Sequence, residues 1–281
     1  MINRRNKYHW SLFILLLLVT LSCKTEQTDT KGTEEKETKS EDPNPNIWIF
    51  LMAGQSNMAG RGAIEPQDQV SDERIIAINN QNQWVGAKEP LHFYEPNSAG
   101  LDCGMSFAEE LLAQVPDSVT IALVPCAVGG SSVFQWLNNE EHRGVTLLSN
   151  FSRKVALAKK KGVIKGILWH QGERNANAED IPKYSDALLS LFTKFRTMVQ
   201  NDEMPIVMGE LGRFAEPEEK AAFFDEINAL LGKIAEADDR LFLVSSEGLD
   251  HKGDNLHFNS AAQRELGKRY AEIMIQQLIT E

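Results

Sequence analysis

Short apolar runs alternate with longer amphipathic segments from Ile47 onward, and this alternation constrains the fold more than any other feature of the sequence. The runs are nearly continuous in Ile, Val and Leu, which is typical of strands that are buried on both faces. The predicted strands are 47–53, 74–79, 119–124, 164–169, 206–209 and 241–244, and the predicted helices are 105–114, 147–160, 184–198, 218–237 and 260–278. This order predicts a parallel sheet with helices on both faces, in one α/β domain over residues 47–281.

The first 46 residues do not share this pattern. Residues 1–22 join a basic start to a short apolar run, which indicates a secretory signal rather than a membrane span. The run ends in Leu-Ser-Cys, which resembles the lipobox of bacterial lipoproteins and makes Cys23 the expected lipidation site. An ordinary secretory signal or an uncleaved anchor is the alternative. Residues 23–46 are polar, and we expect them to form a disordered tether.

The charge and the cysteines bear on partners and location. The chain has 29 basic and 40 acidic side chains, a formal charge of −11, which argues against nucleic acid because phosphates bind basic surfaces. The lipid anchor predicts an exported protein attached to a membrane of the bacterial cell envelope, in the periplasm or facing outward. With Cys23 lipidated, Cys103 and Cys126 remain, either as a disulfide or as two buried thiols. No oligomeric state is indicated.

Functional side chains of such a sheet are expected at the carboxyl ends of its strands. The first strand runs into the sequence GQSNM at 54–58, where a tight turn can expose the hydroxyl of Ser56. Met58 excludes the G-x-S-x-G turn of α/β-hydrolases, and the glycine spacing fits neither a P-loop nor a dinucleotide-binding loop. On these residues alone, Ser56 is either a nucleophile or the cap of the next helix.

Two more strands end in polar residues. The third leads to a glycine pair that includes Gly130, whose N–H can approach a substrate closely, although a plain turn is the alternative. The fourth leads to WHQGE at 169–173, where Gln171 offers an amide donor and Glu173 a carboxylate. His170 and Glu173 have the H-x-x-E spacing of some zinc sites, but no further ligands accompany them, so no metal or other cofactor is predicted.

The last predicted strand precedes a turn-prone stretch in which Asp254 and His257 lie three residues apart. This spacing lets the carboxylate bind one imidazole nitrogen and fix the tautomer, so that the other nitrogen can take a proton from a serine. His251, beside Asp250, is a weaker rival. Together with Ser56 at another strand end, the pair indicates nucleophilic catalysis by a serine.

Four segments resemble the signature blocks of SGNH hydrolases, in the branch of sialate O-acetylesterase-like and acetyl-xylan-esterase-like enzymes (carbohydrate esterase family six). They are GQSNMAGRG at 54–62, PCAVGGSSVFQW at 125–136, WHQGE at 169–173 and DNLHF at 254–258. The resemblance extends from residue 47 to about residue 279. It implies a three-layer α/β/α fold with a five-stranded parallel sheet, flavodoxin-like in type, and metal-independent removal of acetyl groups from sugars.

The same resemblance implies a role for each matching residue. Ser56 would be the nucleophile and His257 the general base, with Asp254 orienting the imidazole. The oxyanion hole would combine the Ser56 N–H, the Gly130 N–H and the side chain of Gln171.

Two features of the third block leave alternatives. Glu173 is the rival to Asp254 as the acid of the triad, because it follows a neighbouring strand and some relatives use a glutamate from this block. The sequence departs from the family just afterwards, where Arg174 and Asn175 replace a small and an acidic residue. This departure affects the expected substrate contacts rather than the triad.

The leading hypothesis is a serine esterase that removes O-acetyl groups from sialic acid, xylan or another acetylated glycan. A non-catalytic glycan-binding lipoprotein is one alternative, and an esterase or lipase acting on non-sugar esters is another, because loops determine substrate choice. Aromatic side chains can stack on sugars, although core packing is the alternative role for each candidate. These candidates are Trp84, Phe93, Tyr94 and Trp136.

Overall fold

The structure is a computed structural model that describes residues 42–279. Its strands are β1 (Asn44–Gly54), β2 (Ile75–Ile78), β3 (Trp84–Gly86), β4 (Thr120–Pro125), β5 (Glu141–His142), β6 (Val145–Thr146), β7 (Gly162–His170), β8 (Ile206–Gly209) and β9 (Leu241–Val244). Its α-helices are α1 (Ser56–Ala59), α2 (Gly104–Leu112), α3 (Val133–Leu137), α4 (Leu147–Lys161), α5 (Ile181–Val199), α6 (Glu218–Glu236) and α7 (Ser260–Ile279), with a 3₁₀ turn at Pro66–Gln69. The six predicted strands and five predicted helices all lie within or overlap these elements.

The central sheet has seven strands in the order β3-β2-β4-β1-β7-β8-β9, and β5 pairs with β6 in a separate small hairpin. Every pair in the central sheet is parallel except β2–β3, which is antiparallel. The resemblance to SGNH hydrolases implies five parallel strands, and this expectation is wrong. The observed sheet has seven strands, and its edge strand β3 runs antiparallel to β2. Strand β3 is only three residues long and half-exposed, so it carries no apolar run that a sequence pattern could detect.

Both faces of the sheet are covered by helices, as predicted. Alternate residues of β1 point to opposite faces: Ile49 enters one core and Phe50 the other. On the first face, Phe151 of α4 and Phe195 of α5 stack with ring centroids 4.0 Å apart. On the second face, α2 packs with α7, and each fully buried large side chain contributes about 1.5–3 kcal/mol. The three-layer α/β/α architecture is confirmed.

The order of the strands places a crevice at the centre of the sheet. The chain passes from β1 to β2 and β4 on one side, and then to β7, β8 and β9 on the other. The strand order thus reverses around β1. In open α/β sheets, ligands bind outside the carboxyl ends of the strands at such a reversal. The motif that contains Ser56 follows β1, the motif that contains Gly130 follows β4, and the motif that contains Gln171 follows β7.

The start of the domain differs from the prediction by three residues. Strand β1 begins at Asn44, so residues 44–46 are not part of a tether. Asn44 is exposed but pairs with Gly162 of β7, because strand pairing uses the backbone and needs no apolar side chain. The predicted signal at 1–22, Cys23 and the tether up to residue 41 lie outside the described residues. Among the helices of residues 42–279, none has the length and apolar character of a membrane span.

The two remaining cysteines lie on opposite faces of the sheet. Cys126 belongs to the core that contains Ile49, and Cys103 belongs to the core that contains Phe50. Both thiols are buried and free, so the alternative of two buried thiols is the one that the structure shows. Burial raises the pKa of Cys126 to about 12 and also raises the pKa of Cys103, which keeps both thiols protonated.

Candidate active site

A tight turn at the end of β1 places Ser56 at the carboxyl edge of the sheet. Gly54 has φ +133°, and a side chain there would collide with the carbonyl oxygen of His170 on β7. The N–H of Gln55 donates to that same carbonyl, at 2.9 Å. The chain then enters α1 at once, with Ser56 as its first residue. The N–H of a first helical residue has no acceptor within the helix, which leaves it available to a ligand.

The loop before α7 brings His257 to Ser56. The Nε2 atom of His257 lies 3.0 Å from the Oγ of Ser56, and Nδ1 lies 2.8 Å from Oδ2 of Asp254. Asp254 also accepts the backbone N–H of His257 at 2.8 Å, which closes a local turn. The carboxylate therefore holds the imidazole at one nitrogen and leaves the other facing the serine hydroxyl. This arrangement suits proton transfer from Ser56 to His257.

The environment of this pair favours a neutral imidazole and a charged carboxylate. Burial lowers the pKa of His257 below its ordinary value, although Asp254 opposes the shift. Burial alone would raise the pKa of Asp254, but the hydrogen bonds from the backbone and ring of His257 outweigh it and hold the pKa at about 2. At neutral pH, His257 can therefore accept a proton and Asp254 remains ionised.

Asn57 joins the serine turn to the histidine loop. Its side-chain amide donates to the carbonyl of Leu256 at 3.1 Å, and its oxygen accepts the N–H of Phe258 at 3.2 Å. These two residues flank His257 in the chain. Asn57 also donates to Glu173 at 2.5 Å. One buried amide thus fixes the position of the loop that carries the imidazole.

Glu173 lies in the site but does not contact His257. Its carboxylate accepts from Asn57 and lies 3.9 Å from Nε2 of His170. Burial raises the pKa of this carboxyl, and the hydrogen bond from Asn57 opposes the rise. The structure therefore places Asp254, and not Glu173, at the imidazole. Glu173 is linked to the loop of His257 through Asn57.

The loop after β4 forms another wall of the site. Gly130 has φ +73°, a conformation that favours glycine, and it borders the cavity next to Ser56. The preceding residue, Gly129, donates its N–H to the carboxylate of Glu95 at 2.5 Å. The nitrogen Nε2 of His142 lies 2.9 Å from the carbonyl of Gly129. These contacts fix the backbone around Gly130.

The expectation that Gln171 projects into the site needs correction. Gln171 is fully buried, and its amide nitrogen lies 2.7 Å from the oxygen of Asn175 and 3.1 Å from that of Gln55. Its own oxygen accepts the hydroxyl of Tyr184. Gln55 lines the cavity, whereas Gln171 is not among the described residues that line it. Gln171 therefore lies behind the lining of the site, where it supports Gln55 and Asn175.

The cavity above Ser56 has a volume of about 430 Å³ and a cationic lining. Its cationic side chains are Arg61, Arg143, Arg174 and Lys220, and its acidic side chains are Glu95 and Glu173. Arg174 is thus exposed to ligand at the point where the sequence departs from the family. Asn175 is buried beneath it, where its oxygen accepts the N–H of Val133 at 2.9 Å.

Glu95 gathers two of these arginines beside the Gly130 loop. It accepts from Arg61 at 2.8 Å and forms a very short contact with Arg143. The side chains of Arg61 and Glu95 are only 7% and 9% exposed. Burial and the nearby charge of Arg143 lower the pKa of Arg61 to about 10, which leaves it charged at neutral pH. The three groups together carry one net positive charge.

The other candidate residues have structural roles. The ring nitrogen Nδ1 of His251 accepts the N–H groups of Gly253 and Asn255, so this rival histidine shapes the loop before His257. Burial lowers the pKa of His170 to about 3, which keeps that ring neutral. Within residues 42–279, no cluster of three His, Cys, Asp or Glu side chains is arranged to hold a metal ion.

Sequence reasoning missed Asn57, Arg61, Glu95 and Arg143. Asn57 and Arg61 lie within the GQSNMAGRG segment, so their proximity to Ser56 was a usable signal. Glu95 and Arg143 lie in irregular segments with no motif, and only the folded chain brings them together. Of the aromatic candidates, Trp136 is fully buried in the core, and none of the four lines the cavity among the described residues.

Comparison with known proteins identifies the family. The family model described as carbohydrate esterase, sialic acid-specific acetylesterase matches residues 46–276. The chain belongs to this family. A probable carbohydrate esterase of Arabidopsis thaliana is 30% identical over 264 residues, which cover 86% of this chain and 95% of the relative. The family match and this relative support an esterase of the carbohydrate esterase class.

Solved structures agree with the fold of this carbohydrate esterase family. The X-ray structure of the Arabidopsis thaliana protein superposes with a TM-score of 0.73 and 27% identity, covering 83% of this chain and 99% of that one. NanS gives a TM-score of 0.68 at 18% identity, covering 86% and 100%. A carbohydrate acetylesterase from Xanthomonas citri gives 0.61 at 18% identity, covering 84% and 57%. The last two similarities concern the fold alone.

Proposed function

We propose that this carbohydrate esterase removes O-acetyl groups from a glycan through a triad of Ser56, His257 and Asp254. The observation that carries the proposal is the imidazole of His257, whose two nitrogens lie 3.0 Å from the serine hydroxyl and 2.8 Å from the carboxylate. A serine becomes a strong nucleophile when an oriented imidazole can remove its proton. The family match supports the carbohydrate ester as the substrate class.

The reaction proceeds through an acetylated serine. The Oγ of Ser56 attacks the ester carbonyl while Nε2 of His257 takes the hydroxyl proton. The tetrahedral intermediate then collapses, and His257 protonates the sugar hydroxyl as it leaves. Water, deprotonated by the same nitrogen, attacks the acetyl group on Ser56, and acetate departs as the serine regains its proton. Asp254 holds the imidazole and stabilises its charged form throughout.

Two backbone N–H groups are proposed to stabilise the oxyanion. Ser56 begins helix α1, so its N–H is free of intrahelical bonding, and Gly130 borders the same cavity. Backbone donors that are fixed before the reaction act strongly on developing negative charge. Gln171 has no direct part in this mechanism, because its amide is bound to Gln55 and Asn175.

The lining of the cavity favours an acidic glycan among the acetylated substrates. Four cationic side chains line a cavity that contains two carboxylic acids, and burial raises the pKa of one of these, Glu173. Arg143 and Arg174 are exposed and can bind a carboxylate on the sugar. A neutral xylan would leave Arg174 without an anionic partner and would not balance the net positive charge of the group formed by Arg61, Glu95 and Arg143. This local excess of cations contrasts with the overall negative charge of the chain and attracts an anionic ligand.

We further propose that the enzyme works outside the cytoplasm, attached to a membrane of the bacterial cell envelope through acyl chains on Cys23. The proposal rests on the basic and apolar residues of 1–22 and on the Leu-Ser-Cys sequence. A polar segment between Cys23 and β1 would let the catalytic domain reach a glycan away from the membrane surface.

The decisive experiment measures acetate release from a panel of acetylated glycans. The panel contains acetylated sialic acid, acetylated xylan, acetylated pectin and a neutral non-sugar acetate ester. We expect the acidic glycans to give the highest kcat/KM and Ser56→Ala to abolish release from all of them. A folded wild-type protein that releases no acetate from any glycan would refute the proposed activity, and a preference for the non-sugar ester would refute the substrate class.

A further inference from the structure

A second cavity lies apart from the catalytic one and has a similar volume, about 430 Å³. It is bordered by the turn between β2 and β3, by the segment after β3 and by helix α4. The two cavities share no lining residue within the described part of the chain. The second cavity therefore needs a separate explanation.

The charged side chains of the second cavity are all cationic. Helix α4 contributes Arg153, Lys154 and Lys160, and none of the described residues that line the cavity is an Asp or a Glu. The protein as a whole carries a charge of −11, so this group of three cations contrasts with its surface. Such a concentration of one sign attracts ligands of the opposite sign.

Lys154 is the most unusual of the three because it is only 3% exposed. Its ammonium donates to the side-chain oxygen of Asn82 at 2.8 Å and lies 4.9 Å from the centre of the Phe93 ring. In residues 42–279 it forms no ion pair with a carboxylate. Buried ammonium groups are normally paired with an acidic group, and burial lowers the pKa of Lys154 accordingly. An anion in the cavity would supply the missing partner.

The remaining lining residues are of the kinds that contact sugars. The rings of Phe93 and Tyr94 lie 4.6 Å apart between centroids and both border the cavity. The Tyr94 hydroxyl already donates to Pro125 and accepts from Asn150, so its ring rather than its hydroxyl is offered to a ligand. An aromatic face can pack against the apolar face of a sugar ring, and nearby carboxamides such as that of Asn80 can bind its hydroxyls.

The chain connects this cavity directly to the catalytic one. Phe93 and Tyr94 border the second cavity, and the next residue, Glu95, borders the catalytic cavity. Tyr94 is also bonded to Pro125 at the end of β4, just before the loop that contains Gly130. One short segment thus forms part of the wall of both cavities. A glycan that occupied both cavities would pass along this segment.

We propose that the second cavity binds a carboxylate-bearing sugar unit of the glycan, away from the unit whose ester is cleaved. Lys154 and Arg153 bind the carboxylate, and Phe93 packs against the sugar ring. Only the assignment of this sugar to the substrate chain rests on the function proposed above. Binding at the cavity itself requires no hydrolysis.

The test uses trigalacturonate without acetyl groups, with xylotriose as the neutral control and inorganic phosphate as the simple anion. Binding is followed by calorimetry and by the amide NMR shifts of residues 150–160, which report on α4 and separate this site from the catalytic cavity. We expect trigalacturonate to shift these amides saturably and xylotriose to leave them unchanged. Because the probe carries no ester, the result does not depend on esterase activity.

The variants locate the binding. Lys154→Met and Arg153→Gln should each weaken trigalacturonate binding at α4 by about tenfold or more, which corresponds to one lost charged hydrogen bond. Arg153 is exposed, so its variant remains informative if the buried Lys154→Met does not fold. Lys165→Met is the matched control, because Lys165 lies over another aromatic ring, that of Trp48, at 5.4 Å. We expect it to keep full affinity.

Three results would overturn the proposal. The first is that the α4 amides do not respond to trigalacturonate. The second is that xylotriose binds equally well, which would exclude recognition of the charge. Phosphate could bind as tightly as trigalacturonate, which would make the cavity a simple anion site. Failure of acetate release with intact binding would refute the proposed esterase function and leave this site standing.

Discussion

Asn57 holds the loop of His257 from both sides, through hydrogen bonds to Leu256 and Phe258. The same amide binds Glu173, so the serine turn, the histidine loop and the end of β7 meet at one side chain. Because Asn57 follows Ser56 in the sequence, the proposed nucleophile and the loop of its proposed base are positioned from neighbouring residues. This relationship makes Asn57 a positioning residue whose loss should reduce catalysis.

We predict that Asn57→Ala lowers kcat by about 10²-fold while changing KM less. A displacement of about 1 Å between reacting groups is sufficient for such a loss. Asn228→Ala is the matched control, because Asn228 is also a buried amide and it bonds both backbone groups of Leu211. Both variants should lose stability, since each leaves buried groups unpaired. Steady-state kinetics and melting temperatures separate the two effects, and equal loss of kcat in both variants would exclude a positioning role.

Ser56→Ala should lower kcat by about four orders of magnitude or more, as for other catalytic serines. Only one hydroxyl is lost, so the melting temperature should change little. Ser98→Ala is the control, because Ser98 lines the same cavity without contacting His257 in any described hydrogen bond. Hydrolysis at the wild-type rate by Ser56→Ala would disprove the nucleophile assignment.

Asp254→Asn should be more damaging than Glu173→Gln. Asp254 contacts the imidazole, and loss of the correct tautomer costs about 10⁴-fold in a well-studied triad. Glu173 is linked to the loop of His257 through Asn57, so we expect a smaller loss from Glu173→Gln. Rates are compared only between variants with matching melting temperatures. The reverse order of damage would assign the triad acid to Glu173.

The activity should rise with pH through a midpoint below the ordinary histidine pKa of 6.5. Burial lowers the pKa of His257, and the proposed mechanism requires the unprotonated ring as the base. Asp254 raises this pKa in part, so Asp254→Asn should move the His257 titration to still lower pH. The pH profile of kcat/KM and NMR titration of the His257 ring measure the two effects. A midpoint at or above 6.5 in the wild type, or a shift to higher pH in the variant, would contradict this account.

Cys23→Ala should release the protein from membranes or block its processing. Each buried methylene of an acyl chain contributes about 0.8 kcal/mol, whereas residues 24–43 offer no apolar group before the domain begins. Membrane fractionation and the mass of the mature N-terminus provide the measurement. A processed variant that still sediments with membranes would show that the anchor lies elsewhere.

The sequence by itself determined the layered α/β fold, because apolar runs and amphipathic periods are local properties of the chain. Strands β8 and β9 begin and end at the predicted residues, whereas β3 is too short to leave such a pattern. It also determined the contact between Asp254 and His257, since a spacing of three residues needs only a turn to bring the two side chains together.

Only the tertiary structure decided which distant residues complete the site. Glu95 forms ion pairs with Arg61 and Arg143 from separate loops, and no pattern in their local sequences predicts these contacts. Gln171 has the expected place in the sequence but turns its amide toward Asn175 and Gln55, because the packing below the cavity offers it acceptors there. Side-chain direction at a strand end depends on all the groups that surround it, and those groups are brought there by the order of strands in the sheet.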